Sequence, residues 1–275
     1  AMARERGGTV VVCGADDTDH TAHYLNQGAD YVIVGEGEVS LSELLNHLTG
    51  RSSTPPDSIA GVATNTNPHP IPRAPMKNLD ALPFPAWDLI DVPRYKVIWY
   101  ERHGYYSMNM VTTRGCPYHC NWCAKPIWGQ RYNVHSPANV VQQLRYLKST
   151  YQPDHIWFVD DIMGLKPGWM EQFADLAEQQ DARIPFKCLS RVDLLLRGDT
   201  INALRRAGCE IVWVGAESGS QKILDAMEKG TRVEQIHQAA ARLREAGVRV
   251  GFFLQFGYPG ETRADIEQTL QLVRD

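Results

Sequence analysis

The chain of 275 residues carries 28 lysines and arginines against 32 aspartates and glutamates, a formal net charge of −4 with histidine neutral. At about 150 residues per domain that length predicts one large domain or two unequal ones, and 43% hydrophobic with 22% charged residues is ordinary for a soluble globular protein. With no basic block, no apolar run near the ~18 residues of a membrane span, and no apolar core behind the basic residues of the opening Ala1-Met2-Ala3-Arg4-Glu5-Arg6, the expectation is a cytoplasmic protein that meets neither nucleic acid nor membrane.

The first fifty residues read as β-α-β-α. A buried-strand run over 9–13 ends at Gly14, and a short helix over 19–27 is closed by Gly28. A second strand covers 30–34 and turns through Gly35-Glu36-Gly37-Glu38. Leu41, Leu44, Leu45 and Leu48 then recur at helical spacing before Gly50. Two strands and two helices enclose too little, so 1–50 reads as the second half of an open α/β sheet. The segment 51–104 is Pro-rich, and over 51 to about 91, where most of its prolines fall, regular helix is not expected. The apolar run Leu82-Pro83-Phe84-Pro85-Ala86-Trp87 makes this segment a strap rather than a free linker.

After Tyr105 a strand-helix rhythm sets in. Strands are predicted over 108–112, 155–159, 185–189, 210–214 and 249–255. Helices are predicted over 137–148, 167–180, 199–206, 221–227, 233–245 and 263–273, the first with Ser136 as N-cap and Pro137 in its first position. Such alternation predicts a parallel sheet or barrel whose working edge lies at the strand C-terminal ends. The rhythm stops after the fifth unit, which predicts a shorter, open barrel or a chain cut from a longer one.

The sharpest signal lies just after the first of these strands. Three of the six cysteines, Cys116, Cys120 and Cys123, stand at the spacing C-x3-C-x2-C within Gly115-Cys116-Pro117-Tyr118-His119-Cys120-Asn121-Trp122-Cys123. Three thiolates in so short a loop repel one another unless a metal ion or an iron–sulfur cluster holds them. Structural zinc takes four protein donors, usually as two separated pairs. The nearby fourth candidate, His119, directly precedes Cys120 and is poorly placed for the same tetrahedron. A zinc-stabilised, non-catalytic binding module is the alternative on this reading. A four-iron cube on three thiolates leaves one iron open, which serves an enzyme better than a pure electron carrier. Cys13 and Cys188 fall in predicted strands and Cys209 at the start of one, and all three read as small apolar residues.

This loop resembles the signature of the radical S-adenosylmethionine (radical SAM) superfamily, including the aromatic Trp122 just before the third cysteine. The resemblance covers 105–275. It implies an α/β fold, a partial (β/α)6 radical SAM barrel, with a [4Fe-4S] cluster on Cys116, Cys120 and Cys123. It also implies SAM bound through the open iron, cleaved reductively to a 5′-deoxyadenosyl radical that abstracts hydrogen. Later strand ends fit a cofactor across the barrel mouth: Asp160 and Asp161, Arg191, Glu217 and Ser218, and Gln255 before Gly257 are the implied SAM contacts with Trp122. Each has a plainer reading as helix cap, ion pair or N-cap turn. The 1–50 segment resembles the C-terminal half of the Rossmann-like cobalamin-binding domain that precedes many such barrels, although the Asp-x-His-x-x-Gly motif does not occur. The resemblance thus implies domains over 1–50 and 105–275 joined by the strap, possible cobalamin, truncation at both ends, and an external one-electron donor of flavodoxin or ferredoxin type. The substrate, small molecule or peptide, is not legible, and methylation, cyclisation or another radical rearrangement all stay open, as does an inert fragment of the enzyme. No residue is singled out as an acid–base catalyst.

Overall fold

Short β-branched and aromatic runs, each followed by an amphipathic segment, build two α/β units in the structure, a computed structural model that describes residues 2–124 and 127–275, the Arg4 side chain excepted. The first unit comprises the residues up to Lys77 together with Gly115–Pro117 and Ala124–Arg131. It contains α1 (Met2–Glu5), β1 (Val11–Cys13), α2 (Ala15–Asp19), α3 (Thr21–Asn26), β2 (Tyr31–Ile33), α4 (Glu38–Leu48) and β3 (Val62–Ala63). The sheet runs β1-β2-β3, with β1 and β2 parallel and β3 antiparallel to β2. Val32, Ile33, Leu44, Val62 and Ala63 are its fully buried centre.

Two expectations change here. The helix read over 19–27 is two short helices starting at Ala15 and broken at His20. Thr18 and Thr21 return their hydroxyls to Gly14 O and Asp17 O, a local bonding that competes with a continuous ladder. The strap, largely irregular as expected, nevertheless supplies β3, because Val62 and Ala63 pair with Ile33 and Val32.

The second unit comprises Asn78–Arg114, Tyr118–Cys123 and Tyr132–Asp275. It opens with α5 (Val92–His103), a helix in the last part of the strap that the sequence reading does not predict. Pro93 is tolerated there because it sits in the first turn, where no helical N–H partner is lost. The Asp91 side chain caps the helix by accepting from the Arg94 N–H at 3.1 Å, and Gly104 ends it in the left-handed region. There follow β4 (Ser107–Met110), β5 (Thr113–Arg114), β6 (Asn133–Val134), α6 (Pro137–Thr150), β7 (His155–Phe158), α7 (Trp169–Gln179) and β8 (Phe186–Ser190). The chain continues through α8 (Val192–Leu195), α9 (Thr200–Ala207), β9 (Cys209–Glu217), α10 (Gln221–Ala226), α11 (Val233–Glu245), β10 (Arg249–Leu254) and α12 (Arg263–Arg274).

Five strands form a wholly parallel sheet in the order β10-β9-β8-β7-β4. The parallel sheet that the strand-helix rhythm predicts is thus realised, with its strands in sequential order. Helix α6 starts as the sequence predicts, with the Ser136 hydroxyl accepting from the Asn139 N–H. Phe158, Phe173 and Phe186 pack edge to face beneath the sheet, with ring centroids 5.0 to 6.2 Å apart. The short antiparallel pair β5–β6 draws together the two ends of the loop that carries the cysteines.

At the end of β9 the chain turns against α12 so closely that a Cβ on Gly219 would lie 2.4 Å from Gln268 O and 2.8 Å from Thr269 Cα. Gly219→Ala should therefore lift α12 and cost on the order of 1–3 kcal/mol as overpacking does. Thermal unfolding together with hydrogen exchange across 263–274 checks this. Unchanged protection there would show that the helix is not held by this contact.

Candidate active site

Five strand ends, with Tyr118–Cys123 of the cysteine loop, supply the polar groups at the C-terminal edge of the parallel sheet. At the end of β4, Thr112 and Thr113 are held by Asp160 from the end of β7. The Asp160 carboxylate, 2% exposed, accepts the Thr112 N–H at 2.6 Å, the Thr113 N–H at 2.9 Å and the Thr112 hydroxyl. Burial disfavours its charged form and wins over these donors, which pull the other way, so its pKa rises to about 6. Thr112 O in turn accepts from the His135 N–H at 2.9 Å. Asp160 thus faces inward and fixes the exit of β4 toward the cysteines, whereas Asp161 is exposed.

The loop itself divides between the two units. In the first, Gly115 has φ +79°, and a Cβ there would lie 2.4 Å from Arg131 O and 3.1 Å from Trp128 Cβ, so only glycine fits directly before Cys116. The Trp128 indole N–H donates to the buried Glu36 carboxylate at 3.2 Å, and the same carboxylate accepts the Met76 N–H at 2.5 Å. In the second unit, the Asn121 N–H donates to Met227 O at 3.2 Å and its side-chain amide to Ala226 O at 2.9 Å. The Tyr258 hydroxyl lies 2.8 Å from Asn121 Oδ1 and 2.9 Å from Ala226 O. Cys116 and Cys120 are half-buried, Cys123 is exposed, and none of the six cysteines forms a disulfide. Among the described residues no three His, Cys, Asp or Glu side chains are gathered as the donors of a single ion are.

Arg191 follows β8 and is 6% exposed. Its Nε donates to Asp193 Oδ1 at 2.9 Å and its Nη2 to Lys229 O at 2.8 Å, while Nη1 lies 3.9 Å from Cys120 Sγ. The guanidinium also stacks on Tyr118, 3.6 Å from the ring centroid. These contacts engage the fork of the residue that the resemblance implies as a SAM contact.

Next to it, at the end of β9, Glu217 is buried and in the left-handed region at φ 61°, where the register slips by one residue against β10. Such a bulge re-aims the side chain. Its carboxylate pairs with the buried Lys229 ammonium at 2.8 Å. Gly215 makes the room: a Cβ there would lie 2.4 Å from Glu217 Oε1 and 2.5 Å from Lys229 Nζ. Lys229 also lies 5.8 Å from the ring centroid of Trp122, which is partly exposed. The Gln255 N–H donates to Glu217 O at 2.9 Å, and Gln255 Oε1 is buried without a hydrogen-bond partner. Ser218 is turned the other way, with its hydroxyl 3.1 Å from Thr269 Oγ1 and accepting the Ser220 N–H. Sequence reasoning missed Lys229, since a lysine after a helix reads as a solvated charge. The turn Glu228-Lys229-Gly230 that ends α10 was its one cue.

Glu217, Lys229, Trp122 and Gln255 therefore place an anion, a cation, a π face and an unsatisfied acceptor side by side. That donor set suits a ligand with an amino-acid end and a heteroaromatic end. Three thiol-bearing residues on a loop with anchored ends suit a cluster rather than a lone ion. Tetrahedral zinc at about 2.3 Å gathers its sulfurs closely, whereas a cube takes each thiolate at a separate corner.

Comparison with known proteins gives the following. The Radical SAM superfamily description matches residues 110–273. An uncharacterized methyltransferase of Pyrococcus horikoshii is 30% identical over 251 residues, 89% of this chain and 52% of that protein. The anaerobic magnesium-protoporphyrin IX monomethyl ester cyclase of Rubrivivax gelatinosus is 25% identical over 264 residues, 90% of this chain and 45% of that protein. The cobalamin-dependent S-adenosylmethionine radical enzyme OxsB, solved with aqua-cobalamin, matches with TM-score 0.79 and 18% identity, over 100% of this chain and 40% of that one. The radical SAM methyltransferase TsrM from Kitasatospora setae, solved with tryptophan and a SAM analogue, matches with TM-score 0.74 and 21% identity, over 97% and 54%. At these identities the two structures speak for the fold. The chain spans about half the length of the curated relatives it matches.

The Asp160 carboxyl offers a direct test of this geometry. Its folded pKa of about 6 lies above the ordinary 3.8, so the protonated form is favoured by folding. That contribution is fully present below about pH 4 and is lost as pH rises through 6, at about 1.4 kcal/mol for each pH unit between the two values. Relative to Asp160→Asn, wild-type stability should therefore fall between pH 4 and 6 in denaturant titrations. A difference that stays flat over this range would place the carboxyl in solvent.

Proposed function

The chain belongs to the radical SAM superfamily, and on that premise we propose that it is the cluster- and SAM-binding part of a cobalamin-dependent radical SAM methyltransferase or cyclase. The observation that carries the reading is the C-x3-C-x2-C loop mounted at the C-terminal edge of a five-stranded parallel sheet, beside the buried Glu217–Lys229 pair. Cys116, Cys120 and Cys123 are the residues that would hold a [4Fe-4S] cluster. When bound and reduced, that cluster supplies the electron that splits SAM and yields the hydrogen-abstracting 5′-deoxyadenosyl radical.

The chain's own residues bind and orient. Glu217 and Lys229 meet the ammonium and carboxylate of an amino-acid end, Gln255 Oε1 takes a donor of the nucleoside, and Trp122 offers its face to the adenine. Asp161, the exposed member of its pair, is the one free to approach a cation, while Asp160 keeps the β4 exit in place. Ser218 shapes the turn behind Glu217. An external one-electron donor of flavodoxin or ferredoxin type would reduce the cluster, since reductive cleavage consumes an electron that neither SAM nor substrate provides.

Methyl transfer and cyclisation are both proposed because relatives bear both names. Cobalamin belongs to the proposal for the whole protein. The Asp-x-His-x-x-Gly motif is missing from this sequence, so no residue of this chain is assigned to cobalamin and no step is derived through it.

Anaerobic reconstitution with iron and sulfide should give a brown protein with about four irons per chain, absorbing near ~400 nm. Dithionite and SAM should then give 5′-deoxyadenosine. One colourless zinc, or an intact cluster with no cleavage product, would overturn the reading. Glu217→Gln and Lys229→Met should each weaken SAM binding at least tenfold, about 1.4 kcal/mol, with iron content unchanged in equilibrium binding and iron assays.

A further inference from the structure

We propose that Arg191 is a positioning residue of the cluster rather than of SAM: it donates to the sulfur of Cys120 and raises the reduction potential of the iron that sulfur holds. The inference rests on the cluster assignment of the three cysteines. Its ground is the disposition of one buried guanidinium. Each of the three nitrogens of Arg191 has its own direction. Nε is taken by the Asp193 carboxylate at 2.9 Å, Nη2 by Lys229 O at 2.8 Å, and Nη1 faces Cys120 Sγ at 3.9 Å.

The fork cannot swing to another partner without breaking these contacts. The Tyr118 ring, two residues before Cys120, covers its face at 3.6 Å, and the Tyr118 hydroxyl reaches Asp193 Oδ2 at 3.4 Å. Asp193 balances the charge of Arg191, and both are largely buried. A neutral thiol is a poor acceptor, so Nη1 alone of the three nitrogens is left with a weak partner, while Nε and Nη2 are satisfied. The arrangement becomes favourable when the sulfur is a thiolate ligand, because the bond is then charge-assisted.

The direction of the effect follows from charge. The reduced cluster carries one more electron than the oxidised one, so a nearby cation and N–H donor stabilise the reduced form and raise the potential. Arg191 would thereby ease the one-electron reduction on which SAM cleavage depends. Lys229, whose ammonium is paired with Glu217 and whose carbonyl accepts from Arg191, links the SAM-facing and cluster-facing residues through one backbone position.

The test is an EPR-monitored redox titration of the reconstituted chain without SAM, after iron and sulfide assays have established four irons in wild type and variants. Arg191→Gln is expected to lower the midpoint potential enough to cut the reduced fraction at fixed solution potential about tenfold, which is 59 mV for a one-electron couple. Arg191→Lys, which keeps the charge but not the planar fork, should fall in between. An unchanged potential with a full cluster in Arg191→Gln overturns the proposal, as does an unchanged potential with weakened SAM binding, which would return Arg191 to the SAM site. Should the variants lose the cluster, pulsed EPR of the reduced wild-type protein labelled with 15N-arginine decides instead: an added 15N coupling supports the contact and its absence overturns it. Failure of the wild type to hold an iron cluster at all would count against the cluster assignment, and the two failures are thereby distinguished.

Discussion

Parallel pairing is the constraint from which the site follows. Strands joined by crossovers rather than hairpins point the same way, so β4, β7, β8, β9 and β10 deliver their last residues to one edge. There the ladder ends, and backbone and side-chain polar groups need partners of another kind. The sequence answers with Thr112, Asp160, Arg191, Glu217 and Gln255, one set per strand end. Three of these are charged and buried, a placement that apolar residues would fill more stably.

Those charges are neutralised in three different ways, and the differences are informative. Asp160 is met by two backbone N–H groups and a hydroxyl, so it acts on the path of the chain. Arg191 is met by a carboxylate, a carbonyl, an aromatic face and a sulfur, which leaves the guanidinium no freedom of orientation. Glu217 and Lys229 meet each other across the space that Gly215 leaves. Glu217 does so from a left-handed backbone, φ 61°, that costs a non-glycine residue of order 1 kcal/mol and persists only where surrounding contacts over-determine it.

Much of this was legible in the sequence because the strands are bounded, continuous apolar runs. The cap formed by Ser136 and Pro137 and the C-x3-C-x2-C spacing carry their physics in adjacent residues. What was not legible depends on tertiary packing. Helix α5 hid behind Pro93 and an exposed apolar face with Val97, Ile98 and Tyr100, which lacks the one-sided pattern of a buried helix. Asp160 and Asp161 are indistinguishable as letters, and only their alternation across the strand end turns one inward and the other outward. Lys229 was invisible for a related reason: a buried lysine is recognised by its partner, and that partner lies twelve residues away across a helix. For Arg191 the sequence leaves open a SAM contact and an ion pair, and the carboxylate its fork binds in the structure is that of Asp193.

The two cations at this edge are not interchangeable. Arg191 spends its planar fork on fixed protein partners, while Lys229 is a point charge on a flexible stem with one carboxylate partner. On the proposed reading, the amino-acid end of a ligand would enter between Glu217 and Lys229 with both of its charges paired: the acid takes the ammonium, the lysine takes the carboxylate, and that end adds no net charge to a buried site. A ligand with only one of these groups would strand the other half of the pair, at the several kcal/mol that an unpaired buried ion costs. On that reading the pair would select for an amino-acid end on electrostatic grounds, and the Arg191 guanidinium beside it, held by Asp193 and Lys229 O, would keep its orientation during that exchange.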